Sequence, residues 1–403
     1  MILYFIGLTE SYEGEGYDRK NLKIPQNQEE LLTEIAETVG KDHIAAISFG
    51  GAPMDFSFEK NVGAMLHMYL GGQAVGESVA DLISGEVTPS GKLAETIPFS
   101  EKDTPAWRYF APPNDDVEYR ESIFVGYRYY ETFHVPVKYP FGYGLSYTSF
   151  SYSELDVPGV YSGGKIQIRF KIKNIGKVSG AEIAQLYICP IESDVIRSHI
   201  ELKGFQKIYL HPGEEKEVIL ELDERSFSVY DVEKKAFSML SGKYHICIGA
   251  SVHDLQLKAN IEVVGNSYFR NERELFPDYF REQPHGMEIS AEQFYQLLGG
   301  EPKHDKEKKR GEYTVYDSYQ DVVNVSMFGK FVRGVVHIGL KIILRGKSER
   351  DPAFKMVKMG VEEGNLEGLI ATSGGIATPK LIDMLVYNAN KKYLQAFKRL
   401  LKK

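Results

Sequence analysis

The amino-acid sequence predicts a multidomain protein in which an α/β region is followed by an all-β domain and a helical extension. Short apolar runs typical of strands alternate with helix-like runs over the first hundred residues. The apolar residues switch to a period of two after Phe150, and helical spacing returns after Gly265. A chain of 403 residues is long enough for several domains of about 100 to 200 residues each.

The α/β region is assigned to residues 1–106. Its strand-like runs are almost continuously apolar, which is typical of a sheet that is covered on both faces. The first helix is expected to begin after Pro25 and to stop at Gly40, where the sequence carries helix-stop signals. In chain order, the predicted strands and helices are MILYFIGL, QEELLTEIAETVG, HIAAISFG, VGAMLHMYL and AVGESVADLISG.

Residues 107–147 are predicted to form an ordered connector. This stretch is rich in aromatic residues, prolines and glycines and has no regular period. Its aromatic rings could stack on pyranose faces, but aromatic side chains in a connector more often pack against neighbouring domains. The sequence favours packing and leaves the sugar-stacking interpretation open.

Residues 148–265 are predicted to fold as a fibronectin type III-like β-sandwich. The run from Ile166 to Ile172 alternates apolar with polar or charged residues, so one face of this strand should be buried and the other solvated. Further strand-like runs follow at the spacing of a sandwich. Two of them hold Cys189 and Cys247, which are expected to be buried free thiols and not a disulfide framework.

Residues 266–403 are predicted to be a mostly helical C-terminal extension. Its apolar stretch Val322–Leu344 contains three basic residues that would be costly at a bilayer centre, so an amphipathic helix is expected and not a membrane span. The N-terminal run has no basic region and is too short for a signal sequence. The sequence therefore predicts a cytoplasmic protein with no membrane partner.

Composition argues against several classes of partner. The formal net charge is −8, and the 48 lysine and arginine residues are spread along the chain, so no nucleic-acid partner is expected. The histidines lack metal-ligand spacing, and the glycines near Gly71 lack the Gly-Lys-Ser/Thr sequence of a phosphate loop. No metal and no cofactor are predicted.

The loop after the first strand is the most informative part of the sequence. It places Glu13, Glu15, Asp18 and Arg19 among glycines at the carboxyl end of a predicted buried strand, where α/β sheets commonly bind ligands. A carboxyl group there could be a general acid, bind a cation or belong to a solvated acidic turn. Without its context, the loop favours the solvated turn.

Five segments in a fixed order carry a family resemblance. They are EGEGYDRKNLKIPQNQ, HIAAISFGGAPMDF, GGQAVGESVADLISGEVTPSGKLAETIP, YRESIFVGYRYYE and YPFGYGLSYTSF. They resemble the C-terminal region of glycoside hydrolase family 3 enzymes of the β-glucosidase type, in which an α/β sandwich domain follows a catalytic barrel. The predicted sandwich and the segment SAEQFYQLLGG also resemble C-terminal regions of bacterial members of that family.

The resemblance implies a role for each residue of the loop. In the family, the barrel supplies an aspartate nucleophile and the α/β sandwich supplies a glutamate acid/base for retaining hydrolysis. Glu15 matches the acid/base position because Gly-Tyr-Asp-Arg follows it directly, and Glu13 is the runner-up. Asp18 and Arg19 would support the loop through a charge-assisted hydrogen bond, although a surface ion pair is an equally good interpretation.

The resemblance also implies that the chain is a C-terminal portion, with residues 1–106 as the later part of the α/β sandwich domain and without the barrel. A chain of this kind should act on a β-glucoside or related oligosaccharide only with a barrel, which a separate subunit could supply, and should be inactive alone. The alternative is a non-catalytic carbohydrate-binding or scaffold module that does not depend on Glu15. The sequence does not choose the sugar or the linkage.

Overall fold

A computed structural model describes most of the chain, and the chain falls into two compact units. The described residues are 1–10, 12–14, 19, 21–110, 117–265, 271–301, 308–344 and 351–401. The first unit comprises Met1–Ala52, Asn61–His67 and Lys303–Lys403, and the second comprises Pro53–Lys60 and Met68–Pro302. Within the described ranges, no helix combines the length and the apolar character that crossing a membrane requires. The four ranges assigned from sequence stay a prediction.

A three-stranded parallel sheet lies in the N-terminal part of the first unit. Its strands, in spatial order, are β1 (Ile2–Gly7), β2 (Ile44–Phe49) and β3 (Ala64–His67). Helix α1 (Gln26–Val39) connects β1 to β2, buries Leu32 and ends at Gly40, as the sequence predicted. Because all three strands run in the same direction, their carboxyl ends meet at one edge of the sheet.

The expectation that both faces of the sheet are covered is wrong for β1. Its side chains alternate, so that Ile6 is buried while Leu3 is 40% and Phe5 is 58% exposed. The Phe5 ring stacks on Phe49 of the neighbouring strand, with ring centroids 6.3 Å apart. An apolar strand sequence excludes charge from both faces but does not determine what packs on each face.

Short elements make up the N-terminal part of the second unit. They are α2 (Val75–Ser84), β4 (Ile97–Pro98), α3 (Tyr127–Thr132) and β5 (Val137–Tyr139), and β4 pairs antiparallel with β5. Several aromatic rings of the connector are buried. Phe124 and Tyr129 belong to one hydrophobic cluster together with Phe276 and Tyr279. Trp107 is 41% exposed, so packing does not account for every ring of the connector.

The β-sandwich of the second unit consists of two facing sheets and a small hairpin. Its strands are β6 (Phe150–Asp156), β7 (Val160–Tyr161), β8 (Ile166–Asn174), β9 (Gly180–Pro190), β10 (Glu201–Leu210), β11 (Glu215–Leu222), β12 (Ser228–Asp231), β13 (Ala236–Met239), β14 (Gly242–Gly249) and β15 (Leu255–Val263). The larger sheet has the order β10-β9-β14-β15-β7, the smaller has the order β11-β8-β6, and β12 pairs with β13.

The core of the sandwich confirms the alternation that the sequence showed. On β8, Ile168 and Phe170 are buried and Gln167 is exposed. Residues from both sheets meet these side chains in a single apolar cluster. Cys189 and Cys247 lie on the neighbouring strands β9 and β14 as buried free thiols, with their sulfurs 4.0 Å apart.

Two α-helices follow the sandwich among the described residues of the second unit. They are α4 (Glu272–Leu275) and α5 (Ala291–Leu298). Helix α5 is the segment that the sequence predicted to be helical. Ser290 caps its first turn by accepting a hydrogen bond from the backbone N–H of Gln293, and Gly299 ends it with a φ of 89°.

Six helices of the first unit form a bundle within the described part of the C-terminal extension. They are α6 (Tyr319–Asn324), α7 (Met327–Ile343), α8 (Pro352–Glu362), α9 (Leu366–Thr372), α10 (Pro379–Ala389) and α11 (Tyr393–Leu401). The single helix expected over Val322–Leu344 is instead divided between α6 and α7. Ser326 accepts a hydrogen bond from the backbone N–H of Gly329 at 2.9 Å and so starts a new helix.

Candidate active site

The candidate site lies at the edge of the parallel sheet where the strands end. The backbone N–H of Leu8 donates to the carbonyl oxygen of Phe49 at 3.0 Å and joins the loop after β1 to the end of β2. Gly7 leaves no room for a side chain, because a Cβ atom there would overlap the Phe49 carbonyl oxygen. The glycine therefore allows the two strand ends to approach closely.

Glu13 connects the loop after β1 to the loop after β2. Both of its carboxylate oxygens accept the hydrogen bond of one donor, the backbone N–H of Gly51, at 2.8 and 2.9 Å. The N–H of Glu13 donates to the carbonyl oxygen of Thr9 at 3.0 Å, which closes a turn. A carboxylate is a strong acceptor for a backbone N–H, so Glu13 links two loops that are 38 residues apart in sequence.

Arg19 lies near the far end of the same loop. Its Nη2 donates to the carbonyl oxygen of Lys23 at 3.3 Å. Burial lowers the pKa of Arg19 below its usual value, and the nearby Glu13 carboxylate opposes that shift. The supporting role predicted for Arg19 stays a prediction. Glu15 and Asp18 lie outside the described residues, so their roles stay predictions.

A serine and a histidine that the sequence analysis did not single out meet at this edge. Ser48 Oγ lies 2.9 Å from Nδ1 of His67, and the two residues are partners in the β2–β3 register. Ser48 is fully buried, and burial lowers the pKa of His67 to about 4, so the imidazole is neutral at neutral pH. The available signal was weak, because Ser48 and His67 each lie within an apolar run of the sequence and nothing local pairs the two runs.

The described residues of this edge offer a limited chemistry. They include the carboxylate of Glu13, the guanidinium of Arg19 and the neutral imidazole of His67. In the part of the chain that the structure describes, no group of three or more His, Cys, Asp or Glu side chains is arranged to hold a metal ion. Retaining hydrolysis needs two carboxyl groups about 5 to 5.5 Å apart.

A partly buried carboxyl group, that of Glu95, lies in the second unit. Burial raises the pKa of Glu95, and a hydrogen bond with the Tyr69 hydroxyl opposes the shift. Tyr69 has a φ of 49°, a left-handed backbone conformation that residues other than glycine seldom adopt. This pair was not predictable from the sequence, because 26 positions separate its members along the chain.

The Pro-Ser-Gly-Lys-Leu segment has a structural explanation within the second unit. Lys92 Nζ forms an ion pair with Glu182 on β9 at 3.0 Å and also donates to the carbonyl oxygen of Gly144 at 2.9 Å. The side chains of Lys92 and Glu182 are only 10% and 7% exposed. The lysine therefore joins this segment to the sandwich.

Two parts of the chain match known protein families. Residues 1–147 match the Glycosyl hydrolase family 3 C-terminal domain, and residues 182–252 match the Fibronectin type III-like domain. These matches confirm the family resemblance and the predicted combination of an α/β region with a fibronectin type III-like sandwich.

Curated relatives are similar over about two thirds of this chain. The thermostable β-glucosidase B of Acetivibrio thermocellus is 44% identical over 261 residues, which are 64% of this chain and 34% of that protein. The exo-α-(1→6)-L-arabinopyranosidase of Bifidobacterium breve is 36% identical over 266 residues, which are 66% of this chain and 35% of that protein. The chain thus spans about a third of the length of these relatives.

Solved structures agree with the sequence matches. The family 3 β-glucosidase of Bifidobacterium adolescentis has a TM-score of 0.63 at 36% identity, over 66% of this chain and 39% of that chain. The β-glucosidase of Kluyveromyces marxianus, solved in complex with glucose, has a TM-score of 0.61 at 35% identity, over 65% of this chain and 32% of that chain. The likeness covers both sequence and fold.

Proposed function

We propose that this chain, which belongs to glycoside hydrolase family 3, supplies the acid/base side of a retaining β-glucosidase-type active site. The chain corresponds to the C-terminal portion of that family. The substrate class is a glycoside with a terminal non-reducing β-D-glucosyl or related residue. The names of the relatives include both β-glucosidases and an arabinopyranosidase, so the sugar is left at the level of this class.

The contact between Glu13 and Gly51 carries the assignment of roles within the loop. A general acid must offer its proton to the leaving oxygen, but both oxygens of Glu13 face a backbone donor. We therefore assign Glu13 to positioning, because it ties the loop to the end of β2. Glu15 is the proposed acid/base.

The proposed reaction has two steps. A carboxylate nucleophile, which the family places in the barrel, bonds to the anomeric carbon while the glycosidic bond breaks and Glu15 gives its proton to the leaving oxygen. Glu15 then takes a proton from water, which attacks the anomeric carbon and releases the nucleophile. The barrel segment is thus a required partner in this proposal, whichever polypeptide carries it.

Complementation tests this proposal directly. The full chain is mixed with a separately produced barrel from the Acetivibrio thermocellus relative, and release of an aryl alcohol from aryl β-glucosides is measured. We expect hydrolysis only in the mixture. Glu15→Gln should lower it at least about 100-fold for a poor leaving group and much less for a good one, which needs little protonation.

Matched variants separate catalysis from folding of the loop. Glu13→Gln should lower activity by a similar factor for both leaving groups, as a positioning residue would, and Glu37→Gln on the exposed face of α1 should have no effect. A leaving-group dependence in Glu13→Gln and not in Glu15→Gln would reverse the two roles. Sugar binding by the chain alone, unchanged in Glu15→Gln and without hydrolysis in any mixture, would favour the non-catalytic module.

A further inference from the structure

Helix α7 has a second apolar face that the described part of the chain leaves uncovered. One set of its apolar residues, including Phe328 and Val332, packs into the core of the bundle. Another set follows the spacing i, i+4, i+8, i+11 and i+15 and is between 54% and 90% exposed. These residues are Met327, Phe331, Val335, Ile338 and Ile342. Such spacing places them along one stripe of the helix.

Helix α11 has an exposed apolar face of the same kind. Ala396 is its only buried residue and contributes little apolar area. Five large apolar side chains on this helix are between 49% and 68% exposed, and they are Tyr393, Leu394, Phe397, Leu400 and Leu401. Scattered exposed apolar residues are ordinary, whereas contiguous exposed apolar surface marks a site of interaction with a protein or a membrane.

The charged residues within the two segments that carry these stripes are all basic. Neither residues 327–343 nor residues 391–401 contain an aspartate or glutamate, although the whole chain has a net charge of −8. The basic residues in these two segments are Lys330, Arg333, Lys341, Lys391, Lys392, Lys398 and Arg399. Arg399 forms an ion pair with Asp383, which lies on α10 outside the two segments. Neither segment itself supplies an acidic partner for these cations.

A basic pocket joins the two stripes. It has a volume of about 360 Å³ and lies where Met327 of α7 and Tyr393 of α11 approach each other. Lys330 and Arg310 line it, and none of its lining residues among the described positions is acidic. The Arg310 guanidinium is fixed by hydrogen bonds to the carbonyl oxygens of Asn388 and Ala389. The pocket thus combines two cations with an apolar rim, which suits a phosphate group attached to an acyl chain.

We propose that the α7–α11 face docks on the surface of a bilayer that contains anionic phospholipids. The exposed side chains of both helices enter the boundary between headgroups and acyl chains, and the pocket takes a lipid phosphate. Exposed apolar stripes on segments whose charged residues are all lysine or arginine are the pattern of helices that lie in such an interface. This proposal replaces the prediction of no membrane partner and concerns attachment at the surface, not a span.

The charge pattern disfavours a second copy of the chain as the occupant. A symmetric dimer through this face would bring the basic residues of both copies together around the apolar contact, and that repulsion opposes association. An anionic lipid surface complements both the apolar area and the positive charge.

Vesicle co-sedimentation of the full chain tests the proposal. One set of vesicles contains only phosphatidylcholine, and the other contains phosphatidylcholine and phosphatidylglycerol in equal parts. We expect binding only to the second set, and we expect it to weaken when added salt screens the charges. Phe331→Ser should weaken binding about tenfold, from the lost burial of one ring, and Lys330→Gln about fivefold.

Matched controls come from the sandwich. Phe205 is 67% exposed, as is Phe331, so Phe205→Ser removes an equally exposed ring from another surface. Lys207 is also exposed on β10, so Lys207→Gln is the matched control for Lys330→Gln. Binding that is lowered in both the α7 variants and the controls, equal binding to both vesicle sets, or no binding to either set would overturn the proposal. Sedimentation equilibrium that showed a dimer dissociated by Phe331→Ser would overturn it in favour of a second copy.

Discussion

His67 is the residue at the candidate site whose charge state depends most clearly on folding. Its pKa is about 4 in the folded chain and 6.5 for an exposed imidazole, because burial penalises the charged form. A depressed folded pKa contributes stability that is present above pH 6.5 and is lost as pH falls through about 4. The free energy of unfolding should therefore decrease across this range, by less than the roughly 3 kcal/mol of a fully buried group, because solvent screens part of the interaction.

Urea unfolding at a series of pH values measures this dependence. His67→Gln should have lower stability at neutral pH, from the lost packing and Ser48 contact, but a flatter decrease between about pH 6.5 and pH 4. His43→Gln, at an exposed position beside the same sheet, should retain the steep decrease. An unchanged slope in His67→Gln would show that the imidazole is not buried in its neutral form.

The roles of single residues were only partly predictable from the sequence. The motif around Glu15 identified the loop, because the family resemblance depends on neighbours in the chain. The contact that supports a positioning role for Glu13 joins positions 13 and 51, and nothing local in either segment indicates that pairing. The Ser48–His67 pair was missed for the same reason, since it follows from the register of two strands.

At the scale of elements, the ion pair of Lys92 and Glu182 connects the Pro-Ser-Gly-Lys-Leu segment to strand β9. Burial raises the pKa of Glu182, and Lys92 opposes this shift. Lys92→Ala would leave a carboxylate that is only 7% exposed without its cation, and this should destabilise the fold by about 3 kcal/mol. Lys92→Met combined with Glu182→Leu should recover most of that loss, because two apolar side chains replace the ion pair.

Thermal or urea unfolding across pH gives a further check on this pair. A raised folded pKa means that Glu182 favours the folded state at acidic pH, where it is protonated, and loses that contribution as pH rises through its folded pKa. The defect of Lys92→Ala should therefore shrink as pH falls. Lys165→Ala, which breaks the exposed pair with Glu221, should have no measurable effect, and an equal loss in both variants would exclude a special role for burial.

Elements with a strict local period were predicted well, whereas the residues that pack against their apolar faces were not. The alternation on β8 and the capped helix α5 both reflect signals that lie within a few residues of each other. The division between α6 and α7 at Ser326 was missed, because the apolar run continues across the serine that caps the second helix. The exposed faces of β1 and α7 were missed because apolar sequence does not specify the partner that buries it.

At the scale of the whole molecule, the two proposals place their functions on different surfaces, and this can be tested in one set of variants. Glu15→Gln should abolish most hydrolysis in the complemented mixture and leave vesicle binding unchanged. Phe331→Ser should weaken vesicle binding about tenfold and leave hydrolysis of a soluble aryl glucoside unchanged. The expectation follows because Phe331 is 67% exposed on a helix that contributes no group to the proposed chemistry.

Assaying both variants for both activities makes the failure of one proposal distinct from failure of the other. Loss of hydrolysis in Phe331→Ser with unchanged vesicle binding and an unchanged circular dichroism spectrum would mean that α7 binds the barrel partner and not lipid. Stronger vesicle binding in Glu15→Gln would place the acidic loop at the lipid-binding surface, because a carboxylate there repels anionic headgroups and its removal relieves that repulsion. A clean separation would instead assign recognition of the glycoside to the edge of the parallel sheet and attachment to the helical extension.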